Sequence, residues 1–494
     1  MILFIIGLFM LIVGGYFYGR FCEKIFAPDD RETPAVKNYD GVDYVPMKDW
    51  KNKLIELLNI AGTGPILGPI QGILFGPIAF ITIPIGCVLA GALHDYFVGM
   101  ISMRNEGAQV PKLVDKYMGK TTNKIYNIII WLLMLLTGVV FIYTPGDLIV
   151  NDILKMDINS NVIWIVYALI LLYYVISTIF PIDKIIGRVY PMFGAVLIIS
   201  AVGVFIGIIR DGGANLGNLT NTGLLFAKHP TGQKFIPVFF ITVACGIMSG
   251  FHGSQATLIS RTVKHEKEGR GVFYNMMIAE GLIAMVWAAG AMVLFNSGTD
   301  VATGATEMVG IISKKFMGTV GGLFAIAGVI VLPITSGDTA FRALRLMIAE
   351  QFNIDQKKAH KRVILSLIIF IPAIAILFFA KSNSDGFNLL WRYFGFTNQF
   401  VAVFALAMIT VYLKAHGKNY WISMIPGLYY TFVVMSYIFH APIGFGLEKR
   451  LGFNPESYTI SYILGAICVI IFYVLIMRIT NKRKDIILEL DNLK

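Results

Sequence analysis

Residues 61–70 read AGTGPILGPI, with three glycines and two prolines in ten positions. They lie inside an apolar run, about 56–78, long enough to cross a bilayer core about 30 Å thick. Proline removes a backbone donor and clashes with the preceding turn, and glycine adds backbone freedom. A continuous helix through this stretch would therefore lose bonds that lipid does not replace. Single breakers kink a membrane helix, whereas five clustered together predict an unwound segment midway through the span. A second such stretch, residues 245–255, reads CGIMSGFHGSQ: three more glycines, with His252, Ser254 and Gln255 at membrane depth.

The rest of the chain supplies the setting. Its 494 residues are 56% hydrophobic and 14% charged, with a mean hydropathy of +0.71, which is more apolar surface than a soluble core hides. Thirteen windows of spanning length and low charge emerge: 2–20, 56–78, 80–102, 125–143, 161–180, 189–209, 235–257, 272–295, 318–336, 362–381, 388–412, 420–440 and 456–478. They are continuous apolar runs, not the short alternating segments of a barrel, so the expected fold is an all-α polytopic membrane protein with about 13 transmembrane helices.

An odd count puts the two ends on opposite sides. With the N-terminus outside and the C-terminus inside, most of the 41 Lys and Arg residues fall on cytoplasmic segments, among them Lys112, Lys116, Arg261, Arg270, Arg342 and Arg483. The net charge of +11 then reflects basic loops facing an anionic leaflet, and nucleic acid is not an expected partner; membrane lipid is. Met1–Tyr18 lacks a basic start and a small-residue cleavage site, so it is expected to stay as the first span. The composition suits a bacterial inner membrane.

In this topology the two interrupted spans run in opposite directions, as two inverted repeats of five helices require. The expected organisation is one membrane domain: a peripheral helix and connector (1–55), repeat one (56–209), repeat two (235–412) and peripheral C-terminal helices with a tail (420–494). The Gly- and Asn-rich segment Asp211–Lys234 is placed to cap an outer entrance.

Polar residues within the spans are the functional candidates. Glu280 sits mid-span in YNMMIAEGLIAMVWAAG, either as a coupling group or as a neutral or paired residue that locks helices together. Thr335, Ser336, Asp338 and Thr339, in LPITSGDTAFR, gather oxygens that suit a hard monovalent cation or cap a helix end. His94 and Asp95 are adjacent, about 100° apart on a helix, so at least one faces the bundle. In WRYFGFTNQF, Arg392 either holds a substrate carboxylate or snorkels to an interface, and Asn398 and Gln399 bring two amides into the membrane.

Enzyme classes find no support. The seven histidines form no HExxH, and there is no GxSxG turn. Gly119, Lys120 and Thr121 imitate the end of a phosphate loop, but Val114 holds the place of its first glycine. The four cysteines lie singly, with neither metal-site nor disulfide spacing, and no metal or cofactor is expected.

Four stretches carry a resemblance. They are AGTGPILGPI with the following VLAGALHDYFVGMISMRNEG, SGFHGSQATLISRTVKHEKEGR running on to Glu280, LPITSGDTAFRALR, and LWRYFGFTNQFVAVFAL. Together they resemble the carbon starvation protein A family, the peptide and pyruvate transporters of bacteria, although His94 stands where a Gln-like residue would be expected. The resemblance implies a broken-helix, amino-acid-transporter-like (LeuT-type) fold and uptake of short peptides or pyruvate driven by a cation gradient. The residues falling in the matching motifs are Gly62, Thr63, Gly64, Pro65, Gly250, Phe251, His252, Asp95, Glu280, Thr339, Asn398 and Gln399.

The resulting expectation is a secondary transporter importing short peptides by alternating access, with pyruvate or another small carboxylate as the alternative; a channel or a membrane enzyme fits less well. Gly62, Thr63, Gly64, Pro65, Gly250, Phe251, His252, Asn398, Gln399 and Arg392 are expected at the substrate. Asp95, Glu280, Thr335, Ser336, Asp338 and Thr339 are expected to couple a proton or sodium.

Overall fold

A computed structural model of the chain describes residues 2–179, 182–210, 216, 225–298, 305–356, 358–383 and 386–492. Among them the protein is helical, and the extended pairing is a single bridge between Glu32 and His265. Among the described residues, nine helices are long and apolar enough to cross a membrane, or ten if one bent pair counts as a span. Each of the thirteen windows is largely helical over its described residues, with interruptions at 61–63 and 248–249.

The first helix, α1 (Ile2–Phe26), turns Ile2, Phe9 and Phe17 outward, as a lipid-facing helix should. It docks through Gly7, where a Cβ would lie 2.2 Å from the Phe80 carbonyl oxygen. The next span is broken. Its first half, α2 (Asp49–Ile60), and second half, α3 (Gly64–Phe75), meet at 48°. Gly62 N–H donates to the Ile60 carbonyl (2.8 Å), and Pro65 sits in the first turn of α3, where a missing N–H costs nothing.

Next come α4 (Ala79–Arg104), the short amphipathic α5 (Val110–Met118), α6 (Lys120–Ile153), α7 (Val162–Ile179) and α8 (Ile182–Arg210). Of the expected outer cap, residues 211–215 and 217–224 lie outside the described residues. Its remainder is anchored on α3: Ala227 N–H donates to the Phe75 carbonyl at 2.8 Å, and Ile78 N–H to that of Leu225 at 3.0 Å.

The second broken span comprises α9 (235–247) and α10 (Gly250–Ile259). Val243 interrupts α9, and Met248 and Ser249 are fully extended between the two halves. Then follow α11 (Glu266–Asn296), α12 (Ala305–Gln351), α13 (Ala359–Ser382), α14 (Gly386–Ala415), α15 (Trp421–His440) and α16 (Thr459–Asn492). Gly318, at φ +70°, splits α12 into an arm and a spanning helix; residues 305–317, which lie outside the thirteen windows, are helical.

The broken spans cross at the centre. A Cβ on Gly64 would lie 2.2 Å from Cys245 Cβ, and one on Gly68 would lie 2.8 Å from the Thr242 carbonyl oxygen. Helices α4, α6, α11, α12 and α14 pack around the crossing, and α15 and α16 pack outside α14. At one end, the connector after α1 seals onto the loop after α10. Met47 N–H donates to the Thr262 carbonyl (2.9 Å), Asn52 and Thr262 exchange two hydrogen bonds, and Arg104 pairs with Glu266 at 2.6 Å.

Candidate functional site

Both breaks leave polar groups in a dry interior. Glu56, Asn59 and Thr63 on the first broken span, His94 and Asp95 on α4, His252, Ser254 and Gln255 on α10, and Glu280 on α11 are all fully buried. Asp95 is the hub. Its Oδ1 lies 2.8 Å from His94 Nδ1 and its Oδ2 lies 3.1 Å from His252 Nδ1. On its other side His252 Nε2 faces Glu280 Oε2 at 3.6 Å. A carboxylate, an imidazole and a second carboxylate thus run from α4 through the second break to α11.

Several atoms in this interior have no hydrogen-bonding partner among the described residues: both oxygens of Glu56 and of Glu280, both amide atoms of Asn59 and of Gln255, and the hydroxyls of Thr63 and Ser254. Buried polar groups are nearly always paired, so a concentration of unpaired ones marks a place where an ion, a water or a ligand completes the structure.

The residues at the two breaks pack closely against α6 and α14. Phe141 of α6 covers both breaks: its ring would meet a Cβ on Gly62 at 2.5 Å, and it packs edge-on against Phe251, with centroids 5.8 Å apart. Thr63, Gly64, Pro65 and Gly250 are buried around the crossing. Gly250 admits α14, since a Cβ there would lie 2.4 Å from the Asn398 carbonyl oxygen.

Asn398 turns out to brace the second break. Its Oδ1 accepts the Phe251 N–H (2.9 Å) and the Ser249 hydroxyl (3.0 Å), and its Nδ2 faces Cys245 Sγ at 3.2 Å. This caps the start of α10 from outside the chain segment, the part a local Asn usually plays. Gln399 leans on the Met248 carbonyl at 3.5 Å, and its Oε1 is unpartnered.

The expected ion-coupling residues divide. Ser336 donates to the Leu58 carbonyl at 2.9 Å, tying α12 to α2 just before the break, while Thr335 and Thr339 donate back to Leu332 and Ser336. Asp338 faces elsewhere: it accepts the Ser177 hydroxyl of α7, and Arg342 donates to the Ser177 carbonyl. Two residues on, about 200° around the helix, Asp338 lies nearly opposite Ser336 and turns to α7 instead of the Leu58 carbonyl. Arg392 is exposed on α14, six residues before Asn398 and about 240° around the helix, and takes no part in the buried cluster.

Glu56, Asn59 and Phe141 were not among the sequence candidates. Glu56 fell at the edge of the assigned window because Asp49, Lys51 and Lys53 lower the hydropathy of a helix that in fact starts at Asp49. A carboxylate one turn before a breaker cluster was the available signal. Phe141 carried none, since an aromatic residue in an apolar span is ordinary core.

The family model described as carbon starvation protein CstA matches residues 1–184, 144–299 and 287–437. The chain is 39% identical over 335 residues to an uncharacterized membrane protein of Haemophilus influenzae, a match covering 58% of this chain and 90% of that protein. It is 25% identical to the peptide transporter CstA of Campylobacter jejuni, covering 85% and 77% of the two chains. To the peptide transporter CstA of Escherichia coli it is 24% identical, over 83% and 76%.

Among solved structures, the manganese transporter of Eremococcus coleocola superimposes with a TM-score of 0.55 at 12% identity, over 90% of this chain and 99% of that one. MhsT in complex with L-phenylalanine superimposes with a TM-score of 0.58 at 11% identity, over 87% and 99%. At that identity they speak for the fold alone, and it is the amino-acid-transporter-like architecture that two opposed breaks predict.

Proposed function

Because this chain belongs to the carbon starvation protein CstA family, we propose that it is a secondary active transporter importing short peptides across the bacterial inner membrane, coupled to a cation gradient, by alternating access. Membrane transport itself accords with the family and with a multi-pass helical protein; substrate, coupling and direction are the proposal. One observation carries it: two helices broken halfway along cross in contact, and the unpaired polar groups beside their breaks are sealed from solvent. Bare backbone and buried side chains can then grip a polar cargo, and small rotations of the broken halves can open one side at a time.

The sealed end supports an occluded state. With the basic loops inside, the Met47–Thr262 and Arg104–Glu266 contacts form the inner door, reinforced by Arg261, which pairs with Glu350 at 2.6 Å and donates to the Gly107 carbonyl. Residues 56–209 and 235–412 serve as the two repeats. A cation fits at the Ser336–Leu58 junction, and a proton on the chain of Asp95, His252 and Glu280.

Peptide is preferred over pyruvate because the buried cluster carries three carboxylates, while Arg392, the residue that would favour a lone carboxylate, faces outward. Counterflow in proteoliposomes with dipeptides and pyruvate, under imposed proton or sodium gradients, tests the proposal. Saturable, gradient-dependent dipeptide accumulation is expected. Uptake of pyruvate alone would transfer the assignment to the carboxylate class, and ohmic currents would make the protein a channel.

A further inference from the structure

Glu56 is a fully buried acid that the coupling chain does not use. Both oxygens of Asp95 face imidazoles, and Glu280 faces His252, but neither oxygen of Glu56 has a hydrogen-bonding partner among the described residues. An ionised carboxylate buried at membrane depth is costly, and it is stable there either neutral or with a cation beside it.

The neighbouring groups indicate which cation. Asn59 lies three residues beyond Glu56 on the same face of α2, and Gln255 three residues beyond His252 on the same face of α10, which packs on α2. Both amides are fully buried, and all four of their polar atoms lack a hydrogen-bonding partner among the described residues. A free side-chain amide offers one acceptor and two donors, the complement of a peptide group. Sodium would leave the amide donors unused, and the hydroxyl and carbonyl oxygens that suit it lie at the Ser336–Leu58 junction.

We infer that Glu56 receives the free α-ammonium group of the substrate, with Asn59 and Gln255 pairing the peptide group beside it, so that the protein selects cargo with an unblocked N-terminus. This deepens the peptide proposal and rests on it. An ammonium brings the positive charge that Glu56 lacks and three donors for the acceptors gathered there. A substrate whose only charge is a carboxylate brings no ammonium donor for the unpartnered oxygens of Glu56.

The test uses the full-length protein in proteoliposomes, with labelled dialanine counterflow challenged by unlabelled dialanine or N-acetyldialanine. Wild type is expected to favour the free amine by at least about tenfold, since a site built to bond a polar group rejects the analogue lacking it. Glu56→Gln should level that preference, and Glu56→Asp should retain it with weaker binding. Equal competition by the two compounds in wild type would overturn the inference while leaving peptide transport standing. A preserved preference in Glu56→Gln would also overturn it, assigning Glu56 to proton carriage. If wild type carries pyruvate and no dipeptide, the peptide proposal itself fails. The wild-type comparison needs no variant to fold, and a matched elution profile in detergent qualifies the two variants.

Discussion

His252 Nδ1 stands 3.1 Å from Asp95 Oδ2, which joins the first turn after the second break to the middle of α4. The same imidazole presents Nε2 to Glu280, so one ring links two carboxylates from separate helices. Any movement of α10 relative to α4 and α11 must stretch or remake these contacts, which makes the ring a natural point for linking conformation to protonation.

The first prediction concerns the hub of that arrangement. Asp95→Asn keeps the shape but takes a charge from between two imidazoles. Breaking a buried pair typically costs about 3–5 kcal/mol. The variant should therefore unfold at a clearly lower temperature in detergent and lose most of its uptake. A melting temperature and an uptake rate equal to wild type would show that the pair contributes to neither.

Glu280→Gln separates exchange from accumulation. Glutamine preserves the packing of a fully buried side chain but cannot take up or release a proton. Counterflow of preloaded substrate should persist, whereas accumulation against a gradient should disappear, with membrane insertion unchanged. Wild-type accumulation in this variant would reduce Glu280 to a packing residue.

Much of this architecture was readable from the sequence, because a membrane allows few alternatives. Apolar runs of spanning length must be helices, and breakers clustered in AGTGPILGPI and CGIMSGFHGSQ must disrupt them. What the residues could not convey was relative placement. Arg392 and Asn398 sit in one stretch, yet the helix turns one outward and the other onto the second break. Thr335, Ser336, Asp338 and Thr339 read as one oxygen cluster, but Asp338 lies nearly opposite Ser336 and meets a different partner, Ser177. Glu56 was hidden by its charged neighbours, and the docking of the connector on the loop after α10 depends on contacts such as Thr33 with Val263 that no local pattern announces.

The hydroxyl face of α12 yields a prediction about ion dependence. Combined replacement of Thr335, Ser336 and Thr339 by Ala removes three side-chain oxygens near the first break, including the bond from Ser336 to the Leu58 carbonyl. If these oxygens hold sodium, the half-saturating sodium concentration for uptake should rise by about tenfold, equivalent to about 1.4 kcal/mol of lost binding. The experiment is a sodium titration of uptake at fixed pH. An unchanged titration would remove this face as an ion site and leave the proton chain as the coupling element.

The last prediction addresses the crossing itself. Gly64 and Cys245 face each other so closely that a Cβ on Gly64 would lie 2.2 Å from Cys245 Cβ, far inside van der Waals contact. The obstructing atom is attached directly to the backbone, so no rotamer change relieves it; the two broken spans must separate. Overpacking of this kind costs about 1–3 kcal/mol in a well-packed core. Separation would also displace Cys245 from Asn398, which braces the second break. Gly64→Ala should therefore lower the melting temperature in detergent and depress uptake more than Gly14→Ala, where a Cβ meets nothing within 4 Å. Adding Cys245→Gly removes the opposing Cβ and should recover part of both losses, although Cys245→Gly alone is destabilising through the cavity it opens. Losses that simply add in the double variant would mean that the two residues are not in contact in the working protein, and the crossing of the broken spans would lose its support.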